Sequence, residues 1–515
     1  MQQESRVKKS LLNARVNLIF YFLTLLLSFF SRKIFLNCLG ADFVGLTSTL
    51  QNLLGFLNLA ELGISTAIGY ILYKPIFDQN KVKINDIITV FGYIYRYIGF
   101  IILGIGIIIG CFLPLIFPKT SFDMGIIYFA YISFLTSSLI GYFANYKQVL
   151  LGADQKNYII TIYFQTTTII KTILQMVATY YTGSYYLWIL IEICFGFIYS
   201  AILNYKIKKI YPWLKNNLRQ GSKLIKDYPE LTKYTKQLFI QKISFFAQLQ
   251  TIPFLTYAFV SLKTVAYYGN YTIITDKLSS LISNLLGSTS AGIGNLISEG
   301  NPNKIKNVFW ELTSIRFFVA STISASTFFL ISPFINLWLG PEYILSDTIL
   351  ILIVLRFFFS TMRGITDQFI FGYGLFYDTW AALTETVIYF VGVIIGGHFW
   401  GLEGILMGSI ISLFSIAGIW KPYFLFSKGF KESVWDYWKY WISNLLLCIT
   451  SFIITFFVER SLFTANFPSN NWLSWGLYSL TTFLIYAISC FTLLIIGTRG
   501  MRSFVHRLLK NIIKR

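Results

Sequence analysis

Arg356, Ser360, Arg363 and Asp367 recur at spacings of four, three and four. On an α-helix those spacings place all four within one narrow sector. The surrounding stretch, residues 345–372, is otherwise strongly apolar and long enough to cross a bilayer. A charge at the bilayer centre costs roughly 3 kcal/mol or more, so a stripe with two arginines belongs against a wet cavity rather than lipid. Guanidinium groups held in such a cavity bind oxyanions bidentately, which makes an anionic cargo the natural ligand. Arg363 and Asp367 are also spaced to pair with each other. Arg356 would then remain on the same face.

Similar lines run along other apolar segments. Lys277, Ser280, Asn284, Ser288, Ala291 and Asn295 follow one another at three or four residues. So do Gln51, Gly55, Asn58, Leu62, Ser65 and Gly69, with Glu61 beside them, and Asn13, Asn17, Tyr21, Thr24, Ser28 and Arg32. The basic residues inside apolar stretches are Arg15, Arg96, Lys171, Lys242, Lys277, Arg316, Arg356 and Arg363. Arg15 falls off the stripe of its own segment and reads as structural or interfacial. The neutral polar residues have a simpler alternative, since Ser, Thr and Asn often only join helices by hydrogen bonds of about 0.6 kcal/mol each. Glu61 and Asp367 are expected to take a coupling proton or sodium ion, because buried carboxylates have raised affinity for protons. Glu192, Asp276, Glu311 and Glu385 are rivals for that role.

The elements that must carry these lines are membrane helices. The chain has 515 residues, 55% apolar and only 12% charged, with a mean hydropathy of +0.63. Soluble domains carry about 25% charged residues. Fourteen apolar stretches of helical length run from 14–36 to 472–497, which predicts an all-α integral membrane fold rather than a barrel of short alternating strands. The basic N-terminal segment MQQESRVKKS leads into a long stretch without a small-residue cleavage site, and so into a first span. The five cysteines are scattered and His398 and His506 lie far apart, so neither a disulfide framework nor a metal site is expected.

Most lysines and arginines outside the spans fall at the two termini and in the connections after even-numbered spans. The opposite connections hold Arg32, Lys33, Lys119, Lys263 and Arg460. That asymmetry puts both termini in the cytoplasm and accounts for much of the net charge of +20 without any nucleic acid partner. The connections on the other side are too short for an enzymatic domain. The longest inner connection, about 206–235, is lysine-rich and reads either as lying along the anionic inner leaflet or as a solvated linker.

The chain also resembles itself. LGADFVGLTSTL from Leu39 falls against LKTVAYYGNYTII from Leu262, placing Gly45 over Gly269. LLGADQKNY and FGYGLFYDTW place Gly152 over Gly372 at nearly the same offset. Six spans separate the equivalents, which makes a parallel repeat of two lobes. The expected organisation is an N-terminal lobe of six spans (1–205), the basic connector (206–235), a C-terminal lobe of six spans (236–426), and spans 13 and 14 with a basic tail (427–515).

SRKIFLNCLGADFVGL, LNLAELGISTAIGYILYKPIFDQNKVKI and YIYRYIGF resemble bacterial polysaccharide flippases of the multidrug/oligosaccharidyl-lipid/polysaccharide transporter superfamily. The motifs cover about residues 30–100, and AELGI followed by LYKP is the most specific of them. The resemblance implies two six-helix lobes with two extra helices in the bacterial inner membrane. It implies flipping of undecaprenyl-pyrophosphate-linked oligosaccharide (an O-antigen or capsule repeat unit) to the outer leaflet by alternating access, with cation coupling in some members. Arg32, Glu61 and Arg96 fall in the matching motifs. With Lys277, Asn284, Arg356 and Arg363 from the helical reading, Arg32 and Arg96 make up the expected substrate site. No organic cofactor is implied, and the expected partners are the lipid-linked substrate, membrane lipids, a polysaccharide polymerase and glycosyltransferases. A multidrug antiporter of the same fold would want an acidic cavity. A multipass polymerase or ligase would want a large external loop.

Overall fold

The computed structural model describes residues 6–55, 75–118, 120–154, 156–228, 251–287, 299–375, 378–465, 467–469 and 471–513, with a few isolated positions between them. It is all-helical over these residues. The helices are α1 (Arg6–Gly55), α2 (Lys81–Cys111), α3 (Met124–Phe143), α4 (Asn157–Thr182), α5 (Tyr185–Ile210), α6 (Leu262–Gly287), α7 (Pro302–Trp338), α8 (Asp347–Gly372), α9 (Thr379–Leu413), α10 (Trp435–Leu462), α11 (Trp472–Gly497) and α12 (Arg499–Ile513).

Nine helical stretches among the described residues are long and apolar enough to cross a membrane, so this is a multi-pass membrane protein. Two of them hold two expected spans each. Residues Arg15–Gly55 are broken at Gly40, whose φ of 83° lies in the left-handed region. Residues Trp380–Phe430 are broken at Gly401, with φ of 57°. Only glycine takes such backbone cheaply, so one residue suffices to reverse the chain between consecutive spans. The break at Gly40 falls in the expected gap after the first span, 14–36, and Arg32 and Lys33, counted with that connection, lie inside α1. The helices α4 and α6, at the expected spans 5 and 8, are 26 residues each and more polar.

The chain divides into two compact units, Met1–Ala266 and Tyr267–Arg515. The repeat reading starts its second lobe earlier, at 236. In the first unit the core runs from Phe43 and Leu50 through Phe91, Tyr131 and Ile189. Close helix contact there depends on Gly45, where a Cβ would stand 2.0 Å from the Leu262 carbonyl oxygen. Residues Leu218–Asp227 form short helical turns folded against α2. A Cβ on Gly92 would stand 2.5 Å from the Leu218 side chain, and one on Gly221 would stand 2.4 Å from Tyr93.

The second unit centres on Phe309, Phe317, Phe369, Phe426 and Leu494. The helices α10 and α11, expected outside the repeat, pack on α7. Trp475 donates to the Leu330 carbonyl at 3.2 Å, and Ser314 meets Tyr440 at 2.6 Å. Either side of the Gly401 break, the chain runs against itself through two glycine pairs. A Cβ on Gly404 would stand 1.9 Å from the Gly396 carbonyl, and one on Gly408 would stand 2.3 Å from the Gly392 backbone. Small residues at this spacing let membrane helices approach to backbone contact. Beyond them the helix widens into π-turns at Phe414–Trp420 and Leu425–Phe430, which bracket Lys421.

Candidate functional site

Two polar constellations lie within the helices, one in each unit. The first lines a chamber of about 250 Å³ formed by α1, α4 and α5. Arg32, Ser48 and Gln51 reach it from α1, Lys171 and Gln175 from α4, and Glu192 from α5. The Lys171 ammonium pairs with Glu192 at 2.6 Å, and Gln175 donates to the other Glu192 oxygen at 3.0 Å and to the Trp188 carbonyl at 3.1 Å. Arg32 Nη2 donates to the Ala266 carbonyl at 2.8 Å. Among the described residues the charged groups that line it are Arg32, Lys171 and Glu192. Phe35, Phe43 and Trp188 form the apolar wall.

The stripe of span 1 does not all point into this chamber. Asn13 accepts from the Tyr158 amide at 2.6 Å and Asn17 from Thr161 at 3.2 Å, so both tie α1 to α4. Thr24 and Ser28 bond back to carbonyls of their own helix. Asn13 and Asn17 thus follow the interhelical alternative, and Arg32 alone of that line reaches the chamber.

The second constellation gathers the charges of α8. Arg363 Nε reaches Asp367 Oδ2 at 3.2 Å, and its Nη1 reaches Glu385 Oε1 on α9 at 2.7 Å. The Glu385 side chain is 2% exposed. Asp367 Oδ1 is held by Lys421 from between the π-turns. Both Asp367 oxygens therefore face cations. Arg316 comes in from α7, donating Nη1 to the Thr361 carbonyl at 3.0 Å. It fills the space a side chain would need at Gly364, where a Cβ would stand 1.8 Å from Nη1. Arg356, two turns up the helix, donates Nε to Ser409 at 3.0 Å, and its charge falls on Tyr268 and Asp276.

The expected residues are thus distributed rather than gathered. Arg32 lines the chamber of the first unit, and Arg356, Arg363 and Asp367 belong to the second unit's charged cluster. Arg96 is exposed on α2, its guanidinium 6.0 Å from the Phe100 ring. Lys277 is half-buried on α6. Asn284 belongs to α6 with its side chain outside the described residues, and Glu61 lies outside them altogether. Three of the four rival carboxylates meet a cation: Glu192 meets Lys171, Glu385 meets Arg363, and Glu311 meets Arg507 at 2.7 Å. Lys421 and Arg316 complete the cluster and were not among the expected site residues. Arg316 was the more legible of the two, being one of the basic residues recognised inside an apolar stretch.

No family profile and no curated protein matches this sequence. Solved structures do match its fold. One, described as "Lipid II flippase MurJ, inward closed conformation", is similar over 95% of this chain and 99% of its own, with a TM-score of 0.62 at 16% identity. A second, an inward-facing multidrug resistance MATE family transporter of the MOP superfamily, covers 80% of this chain and 98% of its own, with a TM-score of 0.60 at 14% identity. The chain has the helical membrane fold shared by these two transporters.

Proposed function

We propose that this chain is a transporter of the MOP superfamily that moves a lipid-linked, phosphate-bearing oligosaccharide across the bacterial inner membrane by alternating access. The observation that carries this reading is the chamber of the first unit. There Arg32 and Lys171 line one polar recess with Glu192, and among the described residues these are its charged groups, set inside an apolar bundle. Cationic side chains in a low-dielectric site suit a pyrophosphate, and arginine is the side chain best shaped for it. The likeness to the lipid II flippase over nearly the whole chain supports the same reading, whereas the MATE structure leaves a fifth of the chain uncovered. Arg356 extends the cationic surface in the second unit. Ion coupling at Asp367 requires Lys421 or Arg363 to release one of its oxygens, since both are engaged.

One observation favours a multidrug antiporter instead. Asp367 and Glu385 nearly balance the cations of the second cluster, so that unit is not uniformly basic. A deletion strain separates the two readings. Lipid-linked repeat units should accumulate on the inner leaflet and surface glycan should disappear. Unchanged surface glycan together with loss of cationic dye efflux would overturn the flippase reading.

A further inference from the structure

The tail beyond the last span is a structured element rather than a basic extension. Thr498 is extended, with φ of −125° and ψ of 137°, and this single residue turns the chain from α11 into α12. The junction is fixed by several bonds. Thr498 Oγ1 donates to the Leu494 carbonyl at 2.7 Å, the Gly500 amide donates to the Tyr440 hydroxyl at 3.0 Å, and Arg502 donates to the Ile496 carbonyl at 3.1 Å. Gly500 lies flush on α7, where a Cβ would stand 2.3 Å from the Trp310 carbonyl. Glu311, almost fully buried on α7, accepts from Ser503 at 2.6 Å and pairs with Arg507 at 2.7 Å. Met501 is 1% exposed and Phe504 packs on the core.

These contacts set the rotation of α12 about its axis. Met501, Phe504 and Val505 share one face. Arg499, Arg502, His506 and Lys510 share the opposite face at spacings of three, four and four, and all four are exposed. No acidic residue occurs between Arg499 and Ile513. Leu509, two turns on from Arg502 and 53% exposed, flanks the basic line with apolar surface. A helix with one apolar and one uniformly basic face, latched where a span leaves the bilayer, has the form of an interfacial element.

We propose that α12 lies in the membrane interface and that its Arg499–Arg502–His506–Lys510 face binds the headgroups of acidic phospholipids. Charge complementarity selects the occupant, because basic residues near an anionic leaflet are attracted within a Debye length of it. The inference does not depend on what the protein transports.

Hydrogen–deuterium exchange of the full-length protein in nanodiscs tests it. Amides of residues 499–513 should exchange at least fivefold more slowly in phosphatidylcholine discs containing phosphatidylglycerol than in phosphatidylcholine alone. Arg499→Gln combined with Lys510→Gln, which leaves the Glu311 and Ile496 contacts in place, should abolish that difference without changing exchange in α7 or α10. Arg499→Lys with Lys510→Arg should keep it. Equal protection in both bilayers, or protection that survives the glutamine pair, would overturn the proposal. So would protection reproduced by inorganic phosphate in phosphatidylcholine discs, which would mark a free-anion site instead.

Discussion

Glu385→Ala removes the most buried member of the charged cluster and separates an ion-pair network from an open cationic stripe. Wild-type Arg363 has two acidic partners, Glu385 at 2.7 Å and Asp367 at 3.2 Å, and Asp367 is shared with Lys421. The substitution takes away one charge-assisted hydrogen bond, about 1.5–3 kcal/mol. It also leaves Arg363 and Lys421 competing for one carboxylate. Stripping a partner from a fully buried pair costs about 3–5 kcal/mol, but the Arg363 side chain is 25% exposed and water screens part of the loss. The expected destabilisation is about 2–3 kcal/mol. At about 2–4 °C per kcal/mol for a unit of this size, the melting temperature of the detergent-purified protein should fall by roughly 4–12 °C. The paired change Arg363→Met with Glu385→Leu removes both charges, leaves the Asp367–Lys421 pair intact, and should recover most of that loss. Wild-type stability in the single variant, or a double variant as unstable as the single, would refute the network. Export in the stable double variant then reports whether Arg363 has a role beyond pairing, and the expectation is that surface glycan is lost.

Three further outcomes follow from the geometry. Arg32→Gln and Lys171→Met should each abolish surface glycan while the protein inserts at normal levels by immunoblot, because each removes one cation of the chamber; normal glycan in both would empty that site of its role. Gly404→Val places branched carbon against the Gly396 backbone and should cost about 3 kcal/mol or more, seen as loss of the monodisperse peak in size-exclusion chromatography, whereas Gly476→Ala, with open space around its Cβ position, should elute as wild type. The Tyr211 phenol lies just past the C-terminal end of α5, donating to Asp154 at 2.8 Å, and burial together with that carboxylate holds its pKa well above the usual tyrosine value. The folded protein therefore keeps this proton while the unfolded chain ionises, so the stability contributed by Tyr211 is fully present below about pH 10 and is lost as pH rises above it; Tyr211→Phe should flatten that alkaline limb in a melting-temperature profile, at a cost near neutrality of about 1 kcal/mol.

The spans were legible because apolar length is a local property and recurs through the chain. The polar lines were legible as lines, but their targets were not. Asn13 and Asn17 have the same spacing logic as Arg32, yet they bond α4 while Arg32 faces the chamber. Periodicity fixes a face and does not say which neighbour covers it. The same gap hid Glu385 and Lys421, which reach Arg363 and Asp367 from α9 and the π-turn segment beyond it. Arg316 could be recognised as an intramembrane cation, but its place depends on the missing side chain of Gly364. Arg96 sits in a matching motif and is exposed on α2, because a short string of residues carries no information on rotation about the helix axis. The connector looked like a solvated basic loop because its lysines dominate the composition. Its contacts are made by Leu218 and Gly221, two small signals among many charges. The basic tail concealed α12 in the same way.

Lys421 stands on the short α-helical stretch between two π-turns. A π-turn holds one residue more than an α-turn, a form that recurs at functional sites. Rewinding Phe414–Trp420 to ordinary pitch would swing every later side chain by the arc of one residue, about 100°. The ammonium would then leave the Asp367 carboxylate without any hinge opening and without any helix changing its tilt. How tightly that one stretch of backbone is coiled decides whether the acid is occupied.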